Sequence, residues 1–308
     1  MSRTAKRERN VMPESKQIPV AQASKDYAKI KLTGSKPRKR IHANVEIVIG
    51  CVLLGIIALM IIAAPLLTPY DPTHQSLREA MLGFSSDHPL GTDQFGRDIW
   101  ARLLYGGRID LFVAVMAVFT PLVIGTILGA IAGYFDGPVP VVIMRLADLV
   151  SSFPFYVLVI VLVFVLGNGG TSIFIAISAV SWVPYTRISR GETLVLRDRE
   201  FIASCKTSGF SDGWVLFRHV IPNIASQGIV YAMSDIVINL GIIVTLSYFG
   251  LGIVPPTPDW GQMMNDGQQF LSAGIYSLTV IPTIVIVLIS LALSFIGDGL
   301  ANVLKVRR

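Results

Sequence analysis

RGETLVLRDREFIASCKTSGFSDGWVLFRHVIPN, residues 190–223, is a long charged stretch between two apolar runs in the C-terminal half of the chain. If residues 214–221 are placed on a helix with a step of about 100° per residue, their apolar side chains fall on one face, which predicts a short helix there. That face comprises Trp214, Leu216, Phe217, Val220 and Ile221, opposite Arg218 and His219. Ser208–Ser211 predicts a glycine stop for one helix and a serine cap for the next, and Pro222 is predicted to end the second helix. Such a two-faced helix–glycine–helix segment is predicted to lie on a bilayer surface and contact a soluble partner.

The composition around this segment is that of an all-α integral membrane protein. Of 308 residues, 52% are hydrophobic and only 15% are charged, whereas soluble domains carry about 25% charge. Several apolar runs approach the roughly 20 residues that cross a bilayer as a helix. The two cysteines, Cys51 and Cys205, form no disulfide framework and have no metal-ligand spacing, so we expect both to be packing residues.

The chain divides into tails, spans and loops. We expect residues 1–46 to be a disordered basic tail, 47–70 the first span, 71–108 an extracytoplasmic loop, 109–297 a five-span core and 298–308 a second tail. The five later spans are predicted at about 109–134, 141–166, 172–188, 228–251 and 275–296.

Positive charge sets the predicted orientation. Twelve Lys and Arg residues precede residue 41, where only three residues are acidic. Residues 252–274 contain no Lys or Arg. A basic tail before a first span holds that terminus in the cytoplasm, so six spans place both termini and residues 190–223 on the cytoplasmic side. The same reading predicts membrane lipid and no nucleic acid as a partner of the basic tail.

Two polar residues fall inside the fifth predicted span. Asp235 and Asn239 are four apart and share a helix face. An acid within a span is a functional-site candidate, so both are possible pore-facing residues. The alternative is that Asp235 contacts other helices of the same chain.

The 190–223 segment resembles the cytoplasmic "EAA" loop of ABC-importer permeases. Gly209, the run Phe217–His219, Ile221 and Pro222 have the spacing of that motif, and Arg199–Phe201 matches the run that precedes it. The motif's Glu-Ala-Ala reads Ala203–Cys205 here, which leaves Glu200 as the nearest carboxylate. The resemblance implies an ATPase-coupling loop, whose residues are Glu200, Phe201, Ala203, Gly209, Phe217, Arg218, Ile221 and Pro222.

Two further stretches extend the resemblance to peptide-class permeases. DHPLGTDQFGRDIWARLLYGGR, residues 87–108, resembles their "HPLGTD-x-x-GRD" signature, and 246–261 resembles their "SLSFLGLG…PPTP-x-WG", with Ile243 where a glutamate is frequent upstream. The extracytoplasmic signature residues are Gly91, Thr92, Asp93, Gly96, Arg97 and Asp98.

The chain is similar to the "C"-type permease of dipeptide and oligopeptide ABC importers. That similarity implies a six-span type I importer fold in the bacterial inner membrane and a heterodimer with a second, homologous permease. It also implies two ATP-binding subunits, an extracytoplasmic substrate-binding protein and a peptide substrate.

No Gly-Lys-Ser/Thr triplet of a phosphate-binding loop occurs in the sequence. We therefore expect a non-catalytic subunit with no cofactor or metal of its own, driven by ATP and Mg bound to partner subunits.

Three alternatives remain. A nickel permease of the same class carries nearly the same signatures. A stand-alone secondary carrier or channel is disfavoured by the few ionisable groups in the spans and by the lack of an evident inverted repeat. An intramembrane enzyme is disfavoured because no Gly-x-Ser-x-Gly or His-Glu-x-x-His pattern is present.

Overall fold

The structure, a computed structural model, describes residues 38–305 and is built from helices. The helices are α1 (Arg38–Ile62), α2 (Ala64–Leu67), α3 (Ile99–Tyr134), α4 (Pro138–Ser151), α5 (Phe155–Leu166), α6 (Gly170–Arg197), α7 (Glu200–Thr207), α8 (Asp212–Val215), α9 (Ile221–Tyr248), α10 (Trp260–Gln268) and α11 (Ser277–Lys305). Short 3₁₀ turns lie at Leu77–Glu79 and Leu271–Ala273, and a π-helical turn, Leu216–Val220, joins α8 to α9. The predicted all-α class is confirmed.

Among residues 38–305, four helical stretches are long and apolar enough to cross a membrane. They are Val45–Ile62, Ile99–Tyr134, Asp212–Tyr248 and Ser277–Leu304. The third predicted span, 141–166, is not one straight helix, because α4 and α5 meet at an angle of 88°. Pro154 precedes α5 and disfavours helical geometry at the residue before it. Counting this bent pair as one span gives five in 38–305, and α6, which contains the predicted fourth span 172–188, is long but more polar.

Several helices extend beyond the predicted spans. α1 begins at Arg38, inside the predicted tail; α3 begins at Ile99, inside the predicted loop 71–108; and α11 runs to Lys305, inside the predicted tail 298–308. Apolar runs locate the membrane-embedded part of a helix, whereas the helix itself ends at its caps. The predictions for residues 1–37 and 306–308 lie outside the described residues.

The centre of the fold is the close packing of α3 on α6. Gly125, Gly129 and Gly133 recur every fourth residue on α3 and face α6. A Cβ atom on Gly129 would lie 2.4 Å from the Thr186 carbonyl oxygen, and one on Gly125 would lie 2.5 Å from the Trp182 carbonyl oxygen. Small residues at this spacing let two membrane helices approach backbone to backbone.

α3 also separates two polar regions. It has 36 residues, so it is about 54 Å long. The loop that precedes Ile99 lies at its first end, and α7, α8 and the π-helical turn pack around Ala130 and Tyr134 at its last turns.

We expect Gly129→Val to destabilise the helix pair by about 1–3 kcal/mol, because the new side chain has no space at the α6 backbone. Thermal unfolding of the detergent-solubilised protein measures this loss. Gly55→Val is the control, since no atom lies within 4 Å of the Cβ position of Gly55 on α1. Equal melting temperatures for the two variants would contradict this account of the packing.

Candidate functional site

The hinge segment, residues 198–222, folds as predicted at its glycine. α7 ends at Thr207, and Gly209 follows with φ of +85°, a left-handed conformation that glycine adopts without steric cost. The Gly209 N–H donates to the Lys206 carbonyl (3.0 Å) and the Phe210 N–H donates to the Cys205 carbonyl (3.2 Å). These two bonds form a Schellman motif, so the glycine stop is confirmed. The Ser211 hydroxyl accepts from the Trp214 N–H (3.4 Å), which confirms the serine cap.

The second half of the hinge segment differs from the prediction. Pro222 does not end a helix; it lies in the first turn of α9, where a missing N–H costs little. The chain enters α9 through the π-helical turn, in which the Ile221 N–H donates to the Leu216 carbonyl. A π-helical turn has more residues per turn than an α-helix, so the angle between successive side chains is smaller than the 100° that the prediction assumed. The predicted apolar face is therefore wrong in part. Leu216 and Val220 are buried, whereas Trp214 and Phe217 are exposed.

The buried side of the hinge segment is fixed to the end of α3. Its apolar contacts comprise Ile202, Val215, Leu216, Val220 and Ile224 against Ala130 and Tyr134. The Tyr134 hydroxyl donates to Asp212 Oδ1 at 2.8 Å. Lys206 Nζ lies 3.8 Å from the same oxygen and 4.7 Å from the centre of the Tyr134 ring. Apolar burial and these polar contacts together make a firm attachment between the segment and α3.

The outer side of the hinge segment carries aromatic rings. Phe201, Phe210, Trp214 and Phe217 are 43%, 47%, 42% and 61% exposed. The rings of Phe210 and Trp214 stack with centres 4.2 Å apart and planes inclined by 13°. Grouped exposed apolar residues mark interaction sites. Trp214 was predicted on the apolar face, but neither Trp214 nor Phe210 was predicted as a coupling residue, although their spacing of four across a predicted turn was the available signal.

The predicted coupling residues are all in or beside this segment. Glu200, Phe201, Ala203, Gly209, Phe217, Arg218 and Pro222 are exposed, and Ile221 is partly buried. The structure therefore brings these residues together in one segment, where most of their side chains are free to contact another protein. Their role in coupling to an ATPase stays a prediction at this point.

The polar loop, residues 68–98, is organised around Asp93. This carboxylate is fully buried and accepts from the backbone N–H groups of Phe95 (2.9 Å) and Arg97 (3.0 Å). The Arg97 guanidinium donates to it at 2.6 Å, and Arg102 Nε lies 3.6 Å away. Arg97 Nη2 also reaches Asp266 of α10 at 3.2 Å. One buried acid therefore ties the loop to α3, and Arg97 ties it to α10.

The other signature residues complete the loop. Asp98 caps α3 by accepting from the Ala101 N–H (2.7 Å), and its second oxygen lies 2.9 Å from His88 Nδ1. The Thr92 hydroxyl donates to the Glu79 carbonyl and accepts from the Leu82 N–H at 2.8 Å. Gly96 has φ of +71° and passes so close to the Ser76 carbonyl that a Cβ atom would overlap it. With Gly91, these residues all meet in one folded loop at the start of α3.

α10 covers the same end of α3. Trp260 is fully buried, its backbone N–H donates to Asp110 Oδ2 (2.9 Å), and its indole N–H donates to the Leu103 carbonyl (2.9 Å). A cavity of about 400 Å³ opens between α10 and the end of α9; its lining includes Asn168, Ser247, Gln262 and Asp266. This cavity lies beside the segment that carries the third sequence signature.

Asp235 and Asn239 lie inside the helix bundle. Both are buried, and the Tyr185 hydroxyl of α6 donates to Asp235 Oδ2 at 2.8 Å. Asn239 lies one turn further along α9, beside the Asp235 carboxylate. In this structure Asp235 contacts another helix of the same chain, as the alternative interpretation expects. A pore-facing role stays a prediction.

We expect Asp93→Asn to lower stability by about 3 kcal/mol, because the buried Arg97 and Arg102 lose their shared anion. Chemical or thermal unfolding in detergent measures the loss. Asp87→Asn, at an exposed site in the same loop, should change stability by less than about 0.5 kcal/mol. Similar losses in both variants would show that the Asp93 network does not hold the loop.

Two known protein families match parts of this chain. Residues 125–308 match the family described as "Binding-protein-dependent transport system inner membrane component". Residues 39–84 match the "N-terminal TM domain of oligopeptide transport permease C".

Curated relatives align over most of the chain. The glutathione transport system permease protein GsiD of Pectobacterium atrosepticum is 35% identical over 271 residues, which are 87% of this chain and 88% of the relative. The dipeptide transport system permease protein DppC of Alkalihalophilus pseudofirmus is 34% identical over 266 residues, 86% and 87% of the two chains. The oligopeptide transport system permease protein OppC of Escherichia coli K12 is 37% identical over 269 residues, 87% and 89% of the two chains.

A solved structure agrees with the fold. The inward-facing MetNI methionine ABC transporter aligns with a TM-score of 0.52 at 16% identity, over 65% of this chain and 94% of that chain. Together with the family match, this confirms the predicted type I ABC importer fold. The chain belongs to the binding-protein-dependent transport system inner membrane components, the multi-pass permease subunits of ABC importers.

Proposed function

We propose that this permease imports small peptides and that the hinge segment receives the work of ATP hydrolysis from partner subunits. The observation that carries the proposal is the two-sided structure of the hinge segment. Its outer side presents aromatic rings and charged residues, and its inner side is packed on α3 and continuous with α9. A segment with those two connections can transmit a push from a docked protein to two membrane helices.

The complex would contain four classes of subunit. A second, homologous permease completes the translocation path, and two ATP-binding subunits dock on the hinge segments and hold ATP and Mg. A substrate-binding protein delivers the cargo from outside the cell. The family description and the permease names of the relatives support this composition. This chain then acts as a non-catalytic subunit.

The proposed orientation places both termini and the hinge segment in the cytoplasm. Lys and Arg are concentrated in the first 40 residues and around the hinge segment, and they are absent from 252–274. The polar loop and α10 then lie on the extracytoplasmic side, where a binding protein would dock. Their position at the opposite end of α3 from the hinge segment supports this assignment.

A peptidic cargo is supported by the relatives. Three of them are named for glutathione, dipeptides and oligopeptides, all of which are short chains joined by amide bonds. The signatures of the polar loop and of 246–261 resemble those of peptide-class permeases.

Movement would pass along two routes. A push on the hinge segment reaches α3 through Ile202, Val215 and Leu216, and α3 carries the polar loop and α10 at its other end. The same push reaches α9 through the π-helical turn, and α9 ends at the cavity beside α10. Both routes converge on the extracytoplasmic end of the bundle.

Gly209→Asp tests the function. We expect it to abolish ATP-dependent dipeptide uptake by the complex reconstituted in vesicles, while the amount of chain in the membrane is unchanged. The Cβ position of Gly209 has no neighbour within 4 Å in this chain, so the added side chain would be met by the docked ATPase rather than by the chain itself.

Gly209→Asn is the matched variant, because asparagine has almost the same size and also adopts the left-handed conformation. Loss of uptake in both variants assigns the effect to blocked docking, and loss in the aspartate variant alone assigns it to charge. Full uptake by Gly209→Asp would remove the hinge segment from the mechanism. Transport by the purified chain without any ATPase would overturn the proposed function.

Trp214→Ala should weaken retention of the ATPase subunits when the complex is purified in mild detergent. The substitution removes the ring that stacks on Phe210. Trp214 is 42% exposed. Loss of one such contact at an interface is expected to weaken binding about tenfold. Ile175→Ala removes an apolar side chain of similar exposure (44%) from α6, outside the hinge segment, and should leave retention unchanged. Equal retention by both variants would contradict docking on the aromatic side.

A further inference from the structure

Two aspartates meet where α10 rests on α3. Asp110 lies one turn beyond Gly106 on α3, and Asp259 caps the first turn of α10. The chain passes so close that a Cβ atom on Gly106 would lie 3.2 Å from the Asp259 Cα atom. The residue after Asp259 donates its backbone N–H to Asp110 (2.9 Å). Both aspartates have no exposed surface.

Each carboxyl group uses one oxygen and leaves the other without a partner. Asp110 Oδ2 accepts from the Trp260 N–H, and Asp259 Oδ1 accepts from the Gln262 N–H at 2.9 Å. Asp110 Oδ1 and Asp259 Oδ2 are buried and have no hydrogen-bond donor among residues 38–305. The Ser247 hydroxyl lies beside Asp259, and among residues 38–305 its own oxygen has no hydrogen-bond partner. Two buried acceptors with no donor are unfavourable, and two neighbouring negative charges add repulsion.

The surrounding charges do not neutralise the pair. Arg102 attracts Asp259, but it is shared with Asp93, whose Oδ2 atom lies 3.6 Å from the Arg102 Nε atom. Arg97 is bound to Asp93 and Asp266. Counting the acids Asp93, Asp110, Asp259 and Asp266 against the bases Arg97 and Arg102 leaves an excess of negative charge if every group is ionised. Burial raises the pKa of the Asp259 carboxyl group, which is consistent with uptake of a proton.

We propose that Asp110 and Asp259 are a binding site for one proton, which they share as a carboxyl–carboxylate hydrogen bond that fastens α10 to α3. The proton supplies the missing donor for both unpartnered oxygens and removes one of the two charges. The site does not depend on the cargo or on the ATPase. It makes the attachment of the extracytoplasmic segment sensitive to pH.

The sign of the pH effect follows from linkage. In the unfolded chain an aspartate titrates near pH 4, whereas the folded pair keeps its proton at higher pH. Between about pH 4 and the pKa of the folded pair, the folded state therefore binds one proton more than the unfolded state. Stability falls as pH rises through the folded pKa. Above that pH both carboxylates are charged and the attachment of α10 weakens.

Infrared spectroscopy of the full chain in detergent tests the site, because a protonated carboxyl group has its own carbonyl band. At neutral pH the wild type should show one more protonated carboxyl group than Asp110→Asn or Asp259→Asn. In either variant the amide N–H replaces the proton as donor, so we expect the melting temperature to lose its fall with rising pH. Asp198→Asn, whose side chain is 81% exposed, should match the wild type in both measurements.

Ser247→Ala separates this site from a serine hydrogen bond to Asp259. We expect it to retain the carboxyl band and the pH dependence. A carboxyl band that is absent from the wild type and appears only in Ser247→Ala would show that the serine hydroxyl keeps Asp259 ionised, and would overturn the proposal. Identical carboxyl bands in the wild type and both asparagine variants would also overturn it. If neither asparagine variant accumulates, the wild type decides alone: a carboxyl band that disappears as pH rises, together with a falling melting temperature, supports the site, and a pH-independent spectrum excludes it.

Discussion

The backbone contact between α3 and α6 is the constraint on which the rest of the structure depends. Gly125, Gly129 and Gly133 let the two helices approach until their backbones touch. In a bilayer, where apolar side chains gain little by leaving lipid, close packing of this kind is a main source of helix association. Every functional region described here is attached to one of these helices or to α9, which packs on both.

The hinge segment illustrates how one element serves two environments. Its inner side is closed by aliphatic residues around Tyr134, so it is fixed to the bundle. Its outer side keeps four aromatic rings in partial contact with solvent. The Schellman motif at Gly209 sets the angle between α7 and α8, and that angle places Phe210 against Trp214. Local backbone geometry thereby determines the surface offered to a partner.

The sequence predicted the helical class, most helix positions, the glycine stop and the serine cap, because these depend on periodicity and local backbone chemistry. It could not predict that Pro222 begins α9, since a proline is equally compatible with the first turn of a helix and with the residue after one. The bend between α4 and α5 was missed because hydropathy alone continues across Pro154. The Arg97–Asp266 ion pair and the Asp110–Asp259 pair join residues far apart in the chain, so spacing within a motif did not reveal them.

The length of α3 has a mechanical consequence. At about 54 Å it exceeds the roughly 30 Å hydrocarbon thickness of a bilayer, so it is long enough to extend beyond the apolar layer. If α3 tilts as one body by about 10° around its midpoint, each tip is displaced by about 5 Å in opposite directions. Gly125, Gly129 and Gly133 hold the half of α3 beyond Pro121 against α6, so that half resists bending as a pair of helices. A tilt applied at one end of α3 would therefore produce a lateral displacement at its other end.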